Sequence, residues 1–192
     1  RGRRVGVFGI TINGIDRTSA VKIETVRIRE VLRARGSSAD FTYQNAANSP
    51  ARPEGGQEVA ITNGATTEFG GHILIPSFIA WRDEVGRMAF DWLVSCTDYT
   101  WELDKFLVYD RDNGGPQSYP QQAGGTTVTS LITTFTDGRF TTTGVATGLT
   151  AGAQEFDVIP VSEAIDRVAR DTGYAWRVDA ARDIKLFVQE TN

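Results

Sequence analysis

Short alternating segments separated by turn sequences fill the first half of the chain. The segment GITINGIDRT places Asn13-Gly14 between two apolar runs, which is the strongest short-range signal of a β-hairpin. The run AVKIETVRIREVLRA changes its buried side near Thr25-Val26, which predicts a bulge or a twist. TEFGGHILIPSFIAW, residues 67–81, is expected to form one long strand. Residues 8–97 therefore predict five to seven antiparallel strands arranged as a barrel or a sandwich.

Helical patterns follow in the second half. TDYTWELDKFLV predicts a short helix capped by Thr97 or Asp98. VTSLITTF, residues 128–135, has apolar residues at i, i+3, i+4 and i+7, which predicts a second helix. VSEAIDRVARDTG predicts a third helix that ends at Gly173, and two alternating runs after it predict a hairpin.

A glycine- and proline-rich segment separates these two parts. Residues 111–125, RDNGGPQSYPQQAGG, have the composition of a linker. We therefore predict a basic tail at 1–7, a β domain at 8–110 that is a barrel or a sandwich, this linker at 111–125 and a small α+β domain at 126–192. The last domain is expected to be incomplete at its C-terminal end. The predicted fold class is α+β, predominantly antiparallel β.

Charge is distributed unevenly along the chain. Residues 1–50 contain nine Lys/Arg and four Asp/Glu, a balance of +5, and the remaining residues contain eleven and twenty, a balance of −9. The basic part can bind an acidic neighbour or nucleic acid. It can also be a solvated strand face with a loose tail, because residues such as Arg27 and Arg29 lie on the same side of a strand.

Residues that could carry catalysis are scarce. The single histidine, His72, is interpreted as a structural strand residue, and the single cysteine, Cys96, as a buried thiol. Asp98 and Glu102 are expected to share a helix face as a cap and a solvated side chain rather than as a glycosidase pair. We expect no enzyme activity, no cofactor and no metal site. No apolar run approaches the roughly 20 residues of a membrane span, so none is predicted.

Six aromatic residues lie between positions 78 and 101. Exposed tryptophans could stack on sugar rings, and Trp81 and Trp101 are the candidates for that role. Phe90 and Trp92 share strand parity, which favours a core position for most of the group. A carbohydrate- or receptor-binding β-module therefore stays open as an alternative function.

Four segments of the chain resemble the hub proteins at the tail tip or baseplate of tailed bacteriophages, which are related to the hub part of type VI secretion spike proteins. They are GITINGIDRTSAVKIETVRI, GQEVAIT with EFGGHIL, VSCTDYTWELDKFLV, and VTSLITTF with FDVIPVSEAIDRVARDTGYAWRVDAARDIKLF. The order and spacing of these segments carry the resemblance. The Thr/Gly-rich residues 136–153 have no counterpart in that pattern.

The resemblance implies a fold and a function. Residues 8–110 would form a tube-type β-barrel domain, and the protein would be a homotrimeric hub ring between the tail tube and distal tip or spike parts. Its implied partners are its own copies, tail tube and distal tail proteins, and a tape-measure protein or spike. DNA would pass through the lumen without specific binding. The protein would be a virion component that is assembled in the host cytoplasm.

Overall fold

The computed structural model describes residues 8–29, 36–45 and 52–188. These residues divide into two compact units: unit 1 contains residues 8–29, 37–45 and 52–98, and unit 2 contains residue 36 and residues 99–188. The sequence placed the corresponding boundary later, at residue 110. The predicted basic tail at 1–7 lies outside the described residues.

Unit 1 is built on one antiparallel sheet. Its strands are β1 (Phe8–Ile12), β2 (Ile15–Asp16), β3 (Val21–Arg29), β4 (Ser38–Asn45), β5 (Glu58–Asn63), β6 (Thr66–Ile73), β7 (Ser77–Arg82) and β8 (Met88–Asp98). The order is β2-β1-β5-β6-β8-β4-β3, and β7 also pairs with β8. The sheet is curled as a half-barrel.

Two turn-level predictions are confirmed in this sheet. Asn13 and Gly14 both have positive φ, 49° and 73°, as a two-residue hairpin turn between β1 and β2 requires. The pairing of β3 with β4 shifts register between Lys22 and Arg27, where the bulge was predicted. Within the bulge, the Thr25 hydroxyl accepts the backbone N–H of Thr42 at 2.8 Å, so the displaced strand stays attached.

The expectation of one strand over residues 67–81 is wrong, because Leu74, Ile75 and Pro76 separate β6 from β7. Both strands pair with the same edge of β8. β6 pairs with the end of β8 at Cys96–Asp98, whereas β7 pairs with the beginning of β8 at residues 88–93. Pro76 has no N–H to donate, which suits it to the break between two strands.

Gly71 lies where β6 is paired on both sides, opposite Val59 of β5 and Asp98 of β8. A Cβ atom at this position would lie 2.0 Å from the carbonyl oxygen of Thr97. Real Cβ atoms essentially never approach an oxygen this closely, so only glycine fits without moving a strand. The core of unit 1 includes Ile10, Phe41 and Tyr43.

Unit 2 contains three helices and several short strands. These are α1 (Thr100–Leu103), β9 (Leu107–Val108), β10 (Gln117–Tyr119), β11 (Gln122–Ala123), α2 (Gly124–Phe135), β12 (Thr141–Val145), β13 (Thr150–Ala151), β14 (Gln154–Phe156), β15 (Ile159–Pro160), α3 (Val161–Thr172), β16 (Tyr174–Val178) and β17 (Asp183–Val188). The largest sheet has the order β12-β17-β16. The α+β class with predominantly antiparallel strands is confirmed.

The observed helix ends match the ends predicted from the sequence only in part. Gly173 ends α3 in the left-handed conformation with φ 70°, as predicted. The predicted cap of α1 is wrong: Thr97 and Asp98 are the last residues of β8, and Tyr99 precedes the helix without a side-chain cap bond. In the part of the chain that the structure describes, no helix has the length and apolarity that a bilayer crossing requires.

The segment 111–125, predicted to be a linker, contains ordered elements of unit 2. β10 pairs with β14, β11 pairs with β13, and α2 begins at Gly124. Tyr119 is buried against Phe156, with ring centroids 5.9 Å apart. The partner residues lie 27 to 39 positions further along the chain, so local composition could not reveal them.

A buried carboxylate joins β12 to β17, which run parallel. Asp183 accepts hydrogen bonds from the Thr141 hydroxyl (2.6 Å), from the N–H and hydroxyl of Thr143 (2.8 and 2.7 Å), and from Lys185 Nζ (2.5 Å). Burial, the largest single influence, raises the pKa of Asp183, but these hydrogen bonds together hold that pKa well below its usual range. The Thr-rich stretch thus has a structural role in unit 2.

Replacing Gly71 by alanine should destabilise unit 1 strongly. The added Cβ collides with backbone of β8 rather than with a flexible side chain, and we expect a loss of about 2–3 kcal/mol or more. Urea unfolding followed by tryptophan fluorescence measures it. Gly115→Ala is the matched control, because nothing lies within 4 Å of a Cβ there. Equal stability of the two variants would contradict the close approach.

Replacing Asp183 by asparagine should lower stability by about 2 kcal/mol at pH 7, because a charged acceptor of buried hydrogen bonds is lost. The folded-state pKa lies below the unfolded value, so the stabilisation is fully present above about pH 4 and fades as pH falls toward the folded pKa. Unfolding of both proteins across pH 2–7 should show the difference shrinking on the acid side. Exposed Glu155→Gln serves as the control; a pH-independent gap would contradict this account.

Candidate interaction surfaces

A β-hairpin of unit 1, called the arm here, comprises residues 74–93, with β7 and the first half of β8 as its strands. Asp83 fixes the turn: its Oδ1 accepts the N–H groups of Val85 (3.0 Å) and Arg87 (2.7 Å), and its Oδ2 accepts Arg87 Nε (3.0 Å). The backbone hydrogen bond from Arg87, foremost among these contacts, lowers the pKa of Asp83. The tip of the arm is therefore held by its own residues.

The inner face of the arm continues the core face of the sheet. Phe78 lies opposite Trp92, with ring centroids 5.0 Å apart, and edge-on to Phe90 at 5.7 Å. Trp92 packs against the core, whereas Phe78 is exposed. The expected core position of the aromatic residues therefore holds for Trp92 and fails for Phe78.

The outer face of the arm is also apolar in part. Ile79, Trp81 and Leu93 are exposed on this side. Asp91 lies among them and accepts hydrogen bonds from Trp81 Nε1 at 3.2 Å and from Lys22 Nζ at 2.6 Å. The Trp81 ring is thus held in place on an otherwise open surface.

The whole of β7 is exposed, which is unusual for a strand of this composition. Ile75 beside it is 92 % exposed. The arm carries eight exposed large apolar residues: Leu74, Ile75, Phe78, Ile79, Trp81, Val85, Met88 and Leu93. An exposed apolar surface of this extent indicates an interaction site.

Among the described residues, the sheet edges without a partner strand differ in how they are protected. β2 has only two residues, and β3 carries the bulge and the basic side chains of Lys22, Arg27 and Arg29. β7 has six residues, pairs with β8 in unbroken register, and has one charged residue, Arg82. Short length, bulges and charge are the usual protection of an edge. β7 lacks all three.

The two tryptophans proposed for sugar stacking lie in different units. Trp81 is in β7 of unit 1, and Trp101 is in α1 of unit 2. Lys105 Nζ lies 3.3 Å from the centroid of the Trp101 ring, in a cation–π contact that covers one face. Each of the two residues is 37 % exposed.

His72 and Cys96 are both buried in unit 1. His72 Nδ1 lies 3.2 Å from the carbonyl oxygen of Gly56. Burial, together with the charge of Asp40, raises the pKa of Cys96 to about 12. A thiol with this pKa is protonated at neutral pH and is a poor nucleophile.

The carboxylates considered for catalysis do not share a helix face. Asp98 ends β8 and accepts the N–H of Ser37 at 2.5 Å. Glu102 is buried in unit 2 and accepts Arg182 Nη2 at 3.4 Å, while Asp104 accepts the hydroxyl of Ser162. Among the residues described, His, Cys, Asp and Glu form no cluster of three or more that could hold a metal ion.

The sequence patterns did not predict that the arm is an exposed apolar surface. A signal was present: Phe78, Ile79, Ala80 and Trp81 are apolar in succession, so both faces of the strand are apolar. Such a run usually indicates a strand buried on both faces. Here it marks a strand that the described part of its own unit does not cover.

No family model matches the chain, and neither does any curated protein. Solved structures do match its fold. The 43 kDa tail protein of prophage MuSo2 from Shewanella oneidensis has a TM-score of 0.70 at 14 % identity, and covers 95 % of this chain. The tail protein from Neisseria meningitidis MC58 has a TM-score of 0.60 at 10 % identity, over 93 % of the chain.

The third structure is the E. coli c3393 protein, described as a type VI secretion component that is structurally similar to the T4 bacteriophage tail proteins gp27 and gp5. It has a TM-score of 0.51 at 11 % identity, over 92 % of the chain. This chain spans about half the length of each structure: 54 %, 50 % and 47 %. The fold predicted from the resemblance to tail hub proteins is therefore confirmed.

Proposed function

We propose that this chain is a structural part of a phage tail, and that it forms a hub ring between the tail tube and distal tip or spike parts. The ring is a homotrimer that encloses the channel for DNA. Unit 1 supplies a tube-type wall domain and unit 2 a small supporting domain. The observation that carries the proposal is the shared fold with tail proteins over more than nine-tenths of the chain.

The arm supports an assembly role. Its exposed apolar residues and unprotected strand edge would be a liability in a monomer, because free edges and apolar patches promote association. In a ring, neighbouring copies cover such surfaces. Tail tube, distal tail and tape-measure or spike proteins are the further partners. The protein is then a virion component that is assembled in the host cytoplasm.

The charge balance suits a channel for DNA. Residues beyond position 50 have a balance of −9, from eleven Lys/Arg and twenty Asp/Glu. A lumen through which DNA slides should not bind phosphates tightly, because each basic contact adds attraction along the duplex. We therefore place more acidic than basic residues of this part on the bore. A bore dense in exposed Lys and Arg would contradict this arrangement.

Symmetry of the assembled particle tests the proposal. We expect native mass spectrometry to give three times the 21.0 kDa of the chain, and negative-stain images to show three-fold rings with a central hole. A closed ring requires head-to-tail contacts between different surfaces of each copy. A particle that stays monomeric at tens of micromolar would contradict the hub function.

Partial exposure of Trp81 and Trp101 favours glycan or receptor binding as a second candidate function. Titration with host-surface oligosaccharides up to millimolar concentration, followed by tryptophan fluorescence, tests it. If a stacking site exists, Trp81→Phe or Trp101→Phe should remove the response selectively and weaken binding by about tenfold. Phe90→Leu, which changes no tryptophan, is the control. Absence of a response in the unmodified protein excludes this candidate.

A further inference from the structure

Unit 2 has a small exposed apolar surface on the two-stranded sheet of β9 and β15. The strands are antiparallel, and Leu107 lies opposite Pro160. Continuing this register two residues further places Tyr109 opposite Val158 on the same face. Leu107, Tyr109 and Val158 are exposed, whereas Val108 between the two pairs is buried. The face formed by the two outward pairs is called the ladder here.

The backbone of Val158 is strained. Its φ is 46°, in the left-handed region that β-branched residues rarely occupy. The side chain is 59 % exposed, so unit 2 gains little apolar burial from a valine at this position. Backbone strain of this kind concentrates at sites whose function requires it. An exposed valine in this conformation therefore indicates a contact outside its own unit.

Carboxylates flank one end of the ladder. Asp110 and Asp157 are the next residues beyond its second pair, and Asp112 is exposed close by in the sequence. Arg111 lies over the Phe135 ring, with its Cζ 5.5 Å from the ring centroid, so its guanidinium is held against α2. The ladder is therefore apolar over two pairs of residues and negatively charged at one end.

The inner face of the arm has the complementary pattern. It presents three cross-strand pairs, which are Phe78–Trp92, Ala80–Phe90 and Arg82–Met88. The first two pairs are apolar, and the third has an exposed arginine where β7 ends. The arm thus offers two apolar pairs followed by a positive charge.

We infer that the inner face of the arm packs on the ladder of a neighbouring copy of this chain. The inference rests on the proposed ring and names the side chains that join successive copies. The contact is made by the faces of two antiparallel strand pairs, which pack about 10 Å apart in known sheet-on-sheet packing. Each copy in a ring has two such contacts, so a modest interface is sufficient.

Charge selects one orientation of this contact. Apolar side chains alone would allow the arm to lie along the ladder in either direction. In one direction Arg82 lies beside Asp157 and Asp110, whereas in the other it lies at the uncharged end, near Leu107 and Pro160. Opposite charges at an interface favour the arrangement in which they meet. The arm therefore lies with its tip toward the two carboxylates.

A second copy is the occupant that the ladder fits. The outer face of the arm is less suitable, because Lys22 there is already bonded to Asp91 at 2.6 Å and leaves no cation for the ladder. The inner face has Arg82 instead. Every copy carries one arm and one ladder, so the contact is heterologous and repeats from copy to copy, as a closed ring requires.

Charge reversal with rescue tests the inference. Arg82→Glu and Asp157→Lys should each weaken self-association by about tenfold in sedimentation experiments, because like charges then meet. Both changes in one chain restore opposite charges at every junction, and most of the lost affinity should return. Thermal unfolding of the dilute variants should stay close to that of the unmodified protein, since both residues are exposed.

Glu68→Lys is the matched control for the rescue, because Glu68 is exposed on β6 and the change adds the same charge as Asp157→Lys. Arg82→Glu with Glu68→Lys should associate as weakly as Arg82→Glu alone. Rescue by Glu68→Lys, or no rescue by Asp157→Lys, overturns the inference.

Single reversals that leave association unchanged also overturn it. If three-fold rings form in that case, the named contact fails and the hub function stands. If the unmodified protein stays monomeric at tens of micromolar, both fail.

Val158→Gly gives a second measurement, in which stability and association respond differently. Glycine adopts the left-handed conformation without strain, so the thermal unfolding temperature should stay the same or rise. Association should weaken by about fivefold, because an apolar side chain is lost from the contact. Leu149→Ala is the control, since Leu149 is exposed in unit 2 outside the ladder. Equal association of these two variants overturns the inference.

Discussion

Pairing of the β8 backbone is the constraint on which unit 1 depends. β8 has eleven residues and hydrogen-bonds β4 along one edge, while β6 and β7 share its other edge. Buried N–H and C=O groups must be paired, so each of these strands is held to β8. Two features follow from this arrangement. β6 pairs with the last residues of β8, which produces the close approach at Gly71, and β7 pairs with the first residues of β8, which forms the arm.

β8 is paired with neighbouring strands along its length, but only its second half lies in the apolar core. Its second half lies over the core, where Val94 and Cys96 are buried, whereas its first half forms the arm with β7. The arm is consequently stabilised by hydrogen bonds and aromatic contacts more than by a core of its own. In the ring that we propose, contacts with neighbouring copies would supply the missing burial.

Local patterns predicted much of the fold. Asn13-Gly14 revealed the first hairpin, the side change near Thr25 revealed the bulge, and Gly173 revealed a helix end, because each depends on adjacent residues only. Tyr119 and Asp183 contact residues that are distant in the sequence. Local patterns therefore did not predict the ordered elements in residues 111–125 or the role of the threonines. The exposure of Phe78 and Trp81 depends on what covers a strand, which alternation does not report. The interaction surface was therefore the part least accessible to sequence reasoning.

The position of β17 sets the order in which the two units can be completed during synthesis. All strands of unit 1 are present once residue 98 has left the ribosome. The sheet of unit 2 lacks its middle strand until β17, the last described element, has been made. β12 is therefore made before β13, β14, β15, α3 and β16, and its partner strand β17 is made after them. A ribosome that stops before residue 183 releases a chain in which the described strands of unit 1 are complete and the sheet of unit 2 lacks its middle strand.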